Sequence, residues 1–201
     1  MKARTALPLS LAGLIALAPP ALGEPLDHID PVTGYRTARY QAAVPQQPPA
    51  GTRVWIDDID TLIAGGDVLL LDVSPIHGAG YDATSGRWRL SKPHATLPGA
   101  VWLPEVGRGH IDRNIERYLS RNLEALTRGD KHKPIIIFCH ADCWMSWNAM
   151  KRIARLGYSA LKWFPEGTDG WRDFDRALVA ATPVPLDTAH DITPDGGGGS
   201  R

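Results

Sequence analysis

The sequence predicts an α/β fold, with a mainly parallel central sheet and helices on both faces. Three observations predict it. Residues 68–73 and 134–138 form short apolar runs bounded by polar or proline residues, as strands buried on both sides of a sheet do. Stretches with helical spacing alternate with these runs, and alternating β and α elements build parallel sheets covered on both sides. Glycines stand where the helices must stop, at Gly65-Gly66, Gly129 and Gly157.

Taken in order, residues 54–56 read as a short strand. Asp57 or Asp58 then caps a helix through Ala64. The strand at 68–73 follows, and residues 74–98, with their glycines and prolines, read as one long loop. Residues 101–103 are a further short strand. Asp112 caps a helix whose Ile115, Leu119, Leu123 and Leu126 share one face. After the strand Ile-Ile-Ile-Phe, residues 139–145 form a loop, and a helix spans 146–156 with Lys151, Arg152 and Arg155 towards its end, where the helix dipole favours cations. Residues 161–164 are the last strand, with Glu166, Asp169 and Trp171 closing the turn after it.

The N-terminus has a basic start, an apolar stretch over 6–18 and small residues up to Gly23. This pattern predicts a signal peptide at 1–23 and a periplasmic, secreted protein. The apolar stretch falls short of the ~20 residues of a membrane span, so no membrane association is expected after cleavage, the alternative being an N-terminal anchor helix. Residues 24–53, rich in Pro and Gln, are expected to form an arm that lies on the domain or is partly disordered. The domain covers 54–180, and 181–201, ending in four glycines, serine and arginine, is a flexible tail. Acidic and basic residues balance at 22 each, which excludes the basic excess of a nucleic-acid binder. No cofactor is indicated.

The chain has two cysteines, Cys139 and Cys143, and both lie in the loop between the Ile-Ile-Ile-Phe strand and the next helix. Loops at the carboxyl ends of parallel strands are where open α/β sheets bind ligands. A thiol there sees the unpaired N–H groups of the helix start, which favour thiolate, the nucleophilic form. Cys139 is thus the expected nucleophile and Cys143 its resolving partner. The polar neighbours His140, Asp142 and Asn148 suggest that the loop, which includes Ala141, Trp144 and Met145, is open to solvent. The alternatives are inert or disulfide-bonded thiols, and a Cu(I) site of Cys139, His140, Cys143 and Met145, a soft ligand set. His140 either tunes Cys139 or is an exposed loop histidine. Trp147 either packs into the core or meets a partner. His94 and His110 have no evident partner.

The segment from Cys139 through Gly157-Tyr158 to Glu166-Gly167-Thr168-Asp169-Gly170-Trp171 resembles the active-site half of a rhodanese domain, and Leu70-Leu71-Asp72-Val73 with Leu97-Pro98-Gly99-Ala100-Val101 resembles its first half. Cys-Trp-Met-Ser-Trp-Asn and Gly-Thr-Asp-Gly-Trp are more narrowly similar to the exported CXXCW-motif proteins associated with PQQ (quinoprotein)-dependent alcohol catabolism. The resemblance implies a sulfurtransferase or thiol oxidoreductase in which Cys139 accepts sulfur and the loop N–H groups cradle a persulfide. It gives Asp72 a supporting role. The implied partners are a sulfur donor or a thiol/disulfide protein, and an exported quinoprotein dehydrogenase system, which a non-enzymatic copper- or partner-binding accessory protein would equally serve. Trp144 and Ser74 stand where rhodaneses commonly carry arginines, Asp142 adds negative charge, and three residues rather than two separate the cysteines. The missing arginines and the charge of Asp142 lower the expected attraction for a dianion such as thiosulfate, and the cysteine spacing departs from the subfamily motif.

Overall fold

A computed structural model describes residues 28–76, 80–82 and 85–186. Residues 1–27, on which the expected signal peptide and the first residues of the expected arm fall, and residues 187–201 lie outside the described residues. Five parallel strands form the central sheet, in the order β1-β6-β5-β2-β4: β1 (Thr52–Arg53), β2 (Leu69–Asp72), β4 (Val101–Trp102), β5 (Ile135–Phe138) and β6 (Leu161–Phe164). β2 and β5 lie side by side in the middle, with Leu69 opposite Ile135 and Asp72 opposite Phe138. Their apolar runs are explained by that position, since all eight residues of the two strands are buried.

Successive strand residues point to opposite faces, and two cores follow. Leu69, Leu71, Val73, Ile135, Ile137 and Cys139 pack beneath α2 (Arg113–Thr127) and α3 (Trp144–Arg155). Leu70, Ile136, Phe138 and Phe164 pack against α1 (Ile56–Ala64) and α4 (Gly167–Asp173) through Ile56, Ile59 and Trp171. Each fully buried aliphatic side chain contributes on the order of 1.5–3 kcal/mol. The helices therefore lie on both faces, as predicted.

Asp112 caps α2 as expected, accepting the N–H groups of Asn114 (2.8 Å) and Ile115 (2.9 Å). Several boundaries differ. The first strand ends at Arg53, before residues 54–56, and α1 starts at Ile56. Asp58 lies inside its first turn and reaches back to accept the Trp55 N–H (2.8 Å). α3 begins at Trp144, two residues before Ser146, so its N-cap is Cys143. The segment after β6 is the helix α4 and not a turn. Within the expected 74–98 loop, β3 (His94–Thr96) pairs antiparallel with β7 (Val179–Ala181). Two such short strands carry no periodicity of their own and form only where the fold brings them together. The chain after Ala181 is not a free tail at its start. The Val184 N–H donates to the Trp102 carbonyl (3.1 Å), and Leu186 is buried.

The arm lies on the domain. Asn148, wholly buried on α3, accepts the Arg36 N–H (3.0 Å) and donates to the Arg36 and Gly107 carbonyls (2.8 and 2.9 Å). One amide thereby ties the arm to the loop after β4. No described helix is long and apolar enough to cross a membrane.

Candidate active site

β5 delivers Cys139 to the end of the sheet, and strand alternation turns its side chain under α3, into the same core as Ile137. The chain then reverses at Asp142, in the left-handed region (φ 52°), and enters α3 at Cys143. Asp and Asn tolerate that conformation better than most residues. Both thiols are free. The Cys139 thiol points at the carbonyls of Cys143 (3.4 Å) and His140 (3.6 Å). α4 closes the loop from the other side. The Thr168 N–H donates to the Cys139 carbonyl (2.9 Å), and Asp169 accepts the Ala141 N–H (3.1 Å). Gly167, at φ 54°, leaves no room for a side chain against the Cys139 carbonyl. Asp169 belongs to the Gly-Thr-Asp-Gly-Trp stretch, so sequence reasoning singled out the residue but not this bond.

The two thiols have opposite electrostatics. Burial pushes Cys139 well above an ordinary thiol, and the Cys143 sulfur beside it adds to the effect. Cys143 is held well below. The Cys139 thiol is the chief cause, joined by the His140 side chain and the Met145 backbone N–H, and these outweigh burial. His140 is raised in turn to about 9, chiefly by Cys143. The surroundings thus draw Cys143 towards the thiolate and Cys139 towards the protonated thiol, with His140 drawn towards its charged form beside them. The sequence reading assigns the helix N-terminus to Cys139; because α3 starts at Trp144, the thiol at that terminus is Cys143, where the Met145 N–H and the helix dipole favour the thiolate.

The thiols are not open to solvent, although Asp142 is exposed and His140 and Ala141 are half-buried. Cys139 is 0% exposed and Cys143 2%. The arm covers them: Gln41 bridges Cys143 in antiparallel fashion, and Trp144, expected beside the cysteines in place of a basic residue, is the arm's main fastening. Its backbone N–H donates to the Tyr40 carbonyl (2.8 Å), its indole N–H donates to the Ala43 carbonyl (3.0 Å), and the Arg36 guanidinium lies 4.7 Å from its ring. Trp147 packs at the edge of the core, with its indole N–H towards the Gln47 carbonyl (3.4 Å). Arg108, over the Tyr40 ring (5.1 Å) and paired with Glu105, is within electrostatic reach of Cys143. Sequence reading missed it, because it comes from the β4–α2 connection, far along the chain.

Asp72 is not with the thiols. It faces the other side of the sheet, where its buried carboxylate accepts the Ser74 N–H (2.8 Å) and the Thr96 hydroxyl (2.6 Å) and pairs with His94 Nε2 (2.7 Å). His94 therefore has a partner, and its ring lies 4.0 Å from that of Trp102. Asp72 anchors β3 to the sheet. Among the described residues no three His, Cys, Asp or Glu side chains are grouped to hold a metal ion. Met145 is buried in the core, and His140 Nδ1 lies against the Ala141 carbonyl (3.1 Å).

A model of the rhodanese-like domain matches residues 56–174, more than half of the chain, and the chain belongs to that family. Among solved structures it is similar to the anaerobic ergothioneine biosynthesis enzyme of Chlorobium limicola in complex with trimethyl histidine, at 16% identity and a TM-score of 0.44, over 66% of this chain and 32% of that one. The wild-type structure of EanB gives 17% identity and the same TM-score and coverage. A full-length protein from Lactobacillus plantarum gives 14% and 0.39, over 61% of this chain and 81% of the other. The chain thus spans about a third of the length of the first two. No curated protein matches it.

Proposed function

We propose that this rhodanese-like protein is a dithiol exchange protein, in which Cys143 attacks and Cys139 resolves. The observation that carries the reading is the placing of two free thiols together, Cys143 at the start of α3 and the Cys139 thiol 3.4 Å from the Cys143 carbonyl, in surroundings that draw Cys143 towards the thiolate and Cys139 towards the thiol. Once the arm lifts, the Cys143 thiolate attacks one sulfur of a partner disulfide. The S–S bond breaks, a mixed disulfide forms, and the departing partner thiolate takes up a proton. Cys139 then loses its proton, attacks the Cys143 sulfur and releases the second partner thiol. Two electrons pass to the partner, and the protein is left with a Cys139–Cys143 disulfide. Both thiols are needed, which fits a loop that carries two.

Family membership supports a second reading, sulfur transfer. Cys143 would take a sulfane sulfur as a persulfide, and attack by Cys139 on it would discharge hydrosulfide and leave the same disulfide. A periplasmic location and service to an exported quinoprotein dehydrogenase system rest on the resemblance of the Cys-Trp-Met-Ser-Trp-Asn and Gly-Thr-Asp-Gly-Trp stretches.

Intact mass of protein taken from its host tests both readings: a gain of about 32 Da marks the persulfide that only sulfur transfer forms, and a loss of about 2 Da marks the disulfide in which both end, from the thiol oxidation chemistry. Full-mass dithiol that stays reduced against a glutathione buffer poised at oxidising potential would refute exchange. Osmotic-shock fractionation tests the location, and retention of the protein in the cytosolic fraction would refute it.

A further inference from the structure

The segment between Tyr35–Arg36 and β1 lies over the thiols in a particular way. Tyr35 and Arg36 are buried and held by Asn148 and Arg155, whereas none of residues 38–50 is buried. A thin strap thus spans two fixed points. Its contacts with the cysteine loop are those of a paired strand. The Ala42 N–H donates to the Asp142 carbonyl (2.8 Å), and the Trp144 N–H donates to the Tyr40 carbonyl (2.8 Å). Gln41 Nε2 donates to the Ala141 carbonyl (3.0 Å), and the Trp144 indole to the Ala43 carbonyl (3.0 Å). Neither cysteine can meet a reagent while the strap is in place, because both are buried beneath it.

When the strap lifts, the loop presents a carbonyl, an N–H and an indole N–H that have just lost main-chain partners. Unpaired backbone groups of this kind favour a new hydrogen-bonding partner over none. The bonded acceptor and donor flank one residue, Cys143, and are matched on the strap by groups flanking Gln41. That spacing is the roughly 6–7 Å two-residue repeat of an extended chain. A small anion offers no donor–acceptor pair at this spacing, and the negative charge of Asp142 repels it.

We propose that the strap holds the docking site of an extended polypeptide, and that the partner of the thiol pair is a polypeptide strand recognised by main-chain pairing with Ala141, Asp142 and Trp144. The strap is a resident stand-in for that strand. In this register the partner's sulfur takes the position of Gln41, opposite Cys143. The inference rests on the dithiol reading only for what happens after docking. Docking itself needs no turnover.

The test uses the full chain carrying Ala42→Pro, which removes the N–H that bonds Asp142, with iodoacetamide alkylation of Cys143 as the readout. Loss of a hydrogen bond from the closed state predicts alkylation faster by about two- to tenfold. Adding a synthetic peptide of residues 38–47 must return the rate towards that of the unaltered chain, and the same peptide carrying Ala42→Pro, which lacks the N–H that bonds Asp142, must not. Equal protection by both peptides, or by neither, would overturn the proposal, as would an unchanged alkylation rate in the variant. Dimerisation of the variant in light scattering, with loss of the peptide effect, would make a second copy's arm the occupant and overturn it too. If Ala42→Pro lowers the thermal midpoint or the far-ultraviolet circular dichroism, Gln41→Ala and Trp144→Phe, each removing one side-chain bond of the strap, take its place under the same criteria. Peptide protection in a protein that exchanges no disulfide would refute the dithiol reading and leave the docking site standing.

Discussion

Replacing His140 with Gln tests the electrostatics of the thiol pair through the pH dependence of alkylation. An ordinary thiol titrates near 8.5, so its thiolate fraction, and with it the alkylation rate, rises nearly tenfold per pH unit well below that value, about fiftyfold from pH 6.5 to 8.5. Cys143 is held well below an ordinary thiol by Cys139, His140 and the Met145 N–H. Its thiolate fraction is then already near its maximum at pH 6.5, and the rate should change by less than about threefold over the same interval. The absolute rate is a poor readout. A lowered pKa also lowers nucleophilicity, with a Brønsted slope of about 0.4–0.5, and the strap slows access at every pH. The slope is independent of access. In Cys139→Ser, which leaves only Cys143, iodoacetamide labelling followed by mass spectrometry at a series of pH values gives it directly, with the serine hydroxyl still able to donate. His140→Gln in that background removes one of the groups that hold Cys143 down, so the curve should steepen towards that of a free thiol. Cys143→Ser should show the steep curve throughout, because burial raises Cys139. A flat curve for Cys139 and a steep one for Cys143 would return the thiolate to Cys139 and refute the assignment.

Three other outcomes follow from the same geometry. Asn148→Ala should destabilise the fold by about 2–4 kcal/mol in urea titration, because it leaves the Arg36 and Gly107 backbone groups unpaired at a buried site; a change under about 1 kcal/mol would mean that the arm is not tied there. Stability should rise with pH up to about 6.5 and then stay level to about 9. His140, raised from 6.5 to about 9, contributes stabilisation that is complete below pH 6.5 and lost as pH rises through 9, whereas Cys143, depressed from 9.0, contributes stabilisation that is complete above pH 9 and lost as pH falls. Between 6.5 and 9 the two changes cancel, and thermal midpoints that instead fall steadily across that window would contradict the paired charges. Finally, thiosulfate:cyanide sulfur transfer should be weak, since Asp142 lies in the loop and Trp144 fastens the strap; turnover matching an ordinary rhodanese would refute this.

The sequence by itself determined the parallel α/β sheet, the two central strands, the cap at Asp112 and the placing of both cysteines at the carboxyl end of the sheet. These are local or periodic properties. A run such as Ile-Ile-Ile-Phe can be satisfied only by burial on both faces, and Asp before a helical apolar pattern caps it wherever the helix packs. The tertiary structure decided the rest. Whether α3 starts at Trp144 or Ser146 depends on the Tyr40 carbonyl accepting the Trp144 N–H, a contact more than a hundred residues apart in sequence, and that start makes Cys143 the thiol at the helix N-terminus. The pairing of β3 with β7 and of Asp72 with His94 and Thr96 likewise joins distant segments with no periodicity of their own. The burial of the thiols was hidden for the same reason. The loop's own residues are polar and read as exposed, and the segment that covers them is a Pro- and Gln-rich arm. Its hydrogen bonds come from backbone groups that every sequence carries alike.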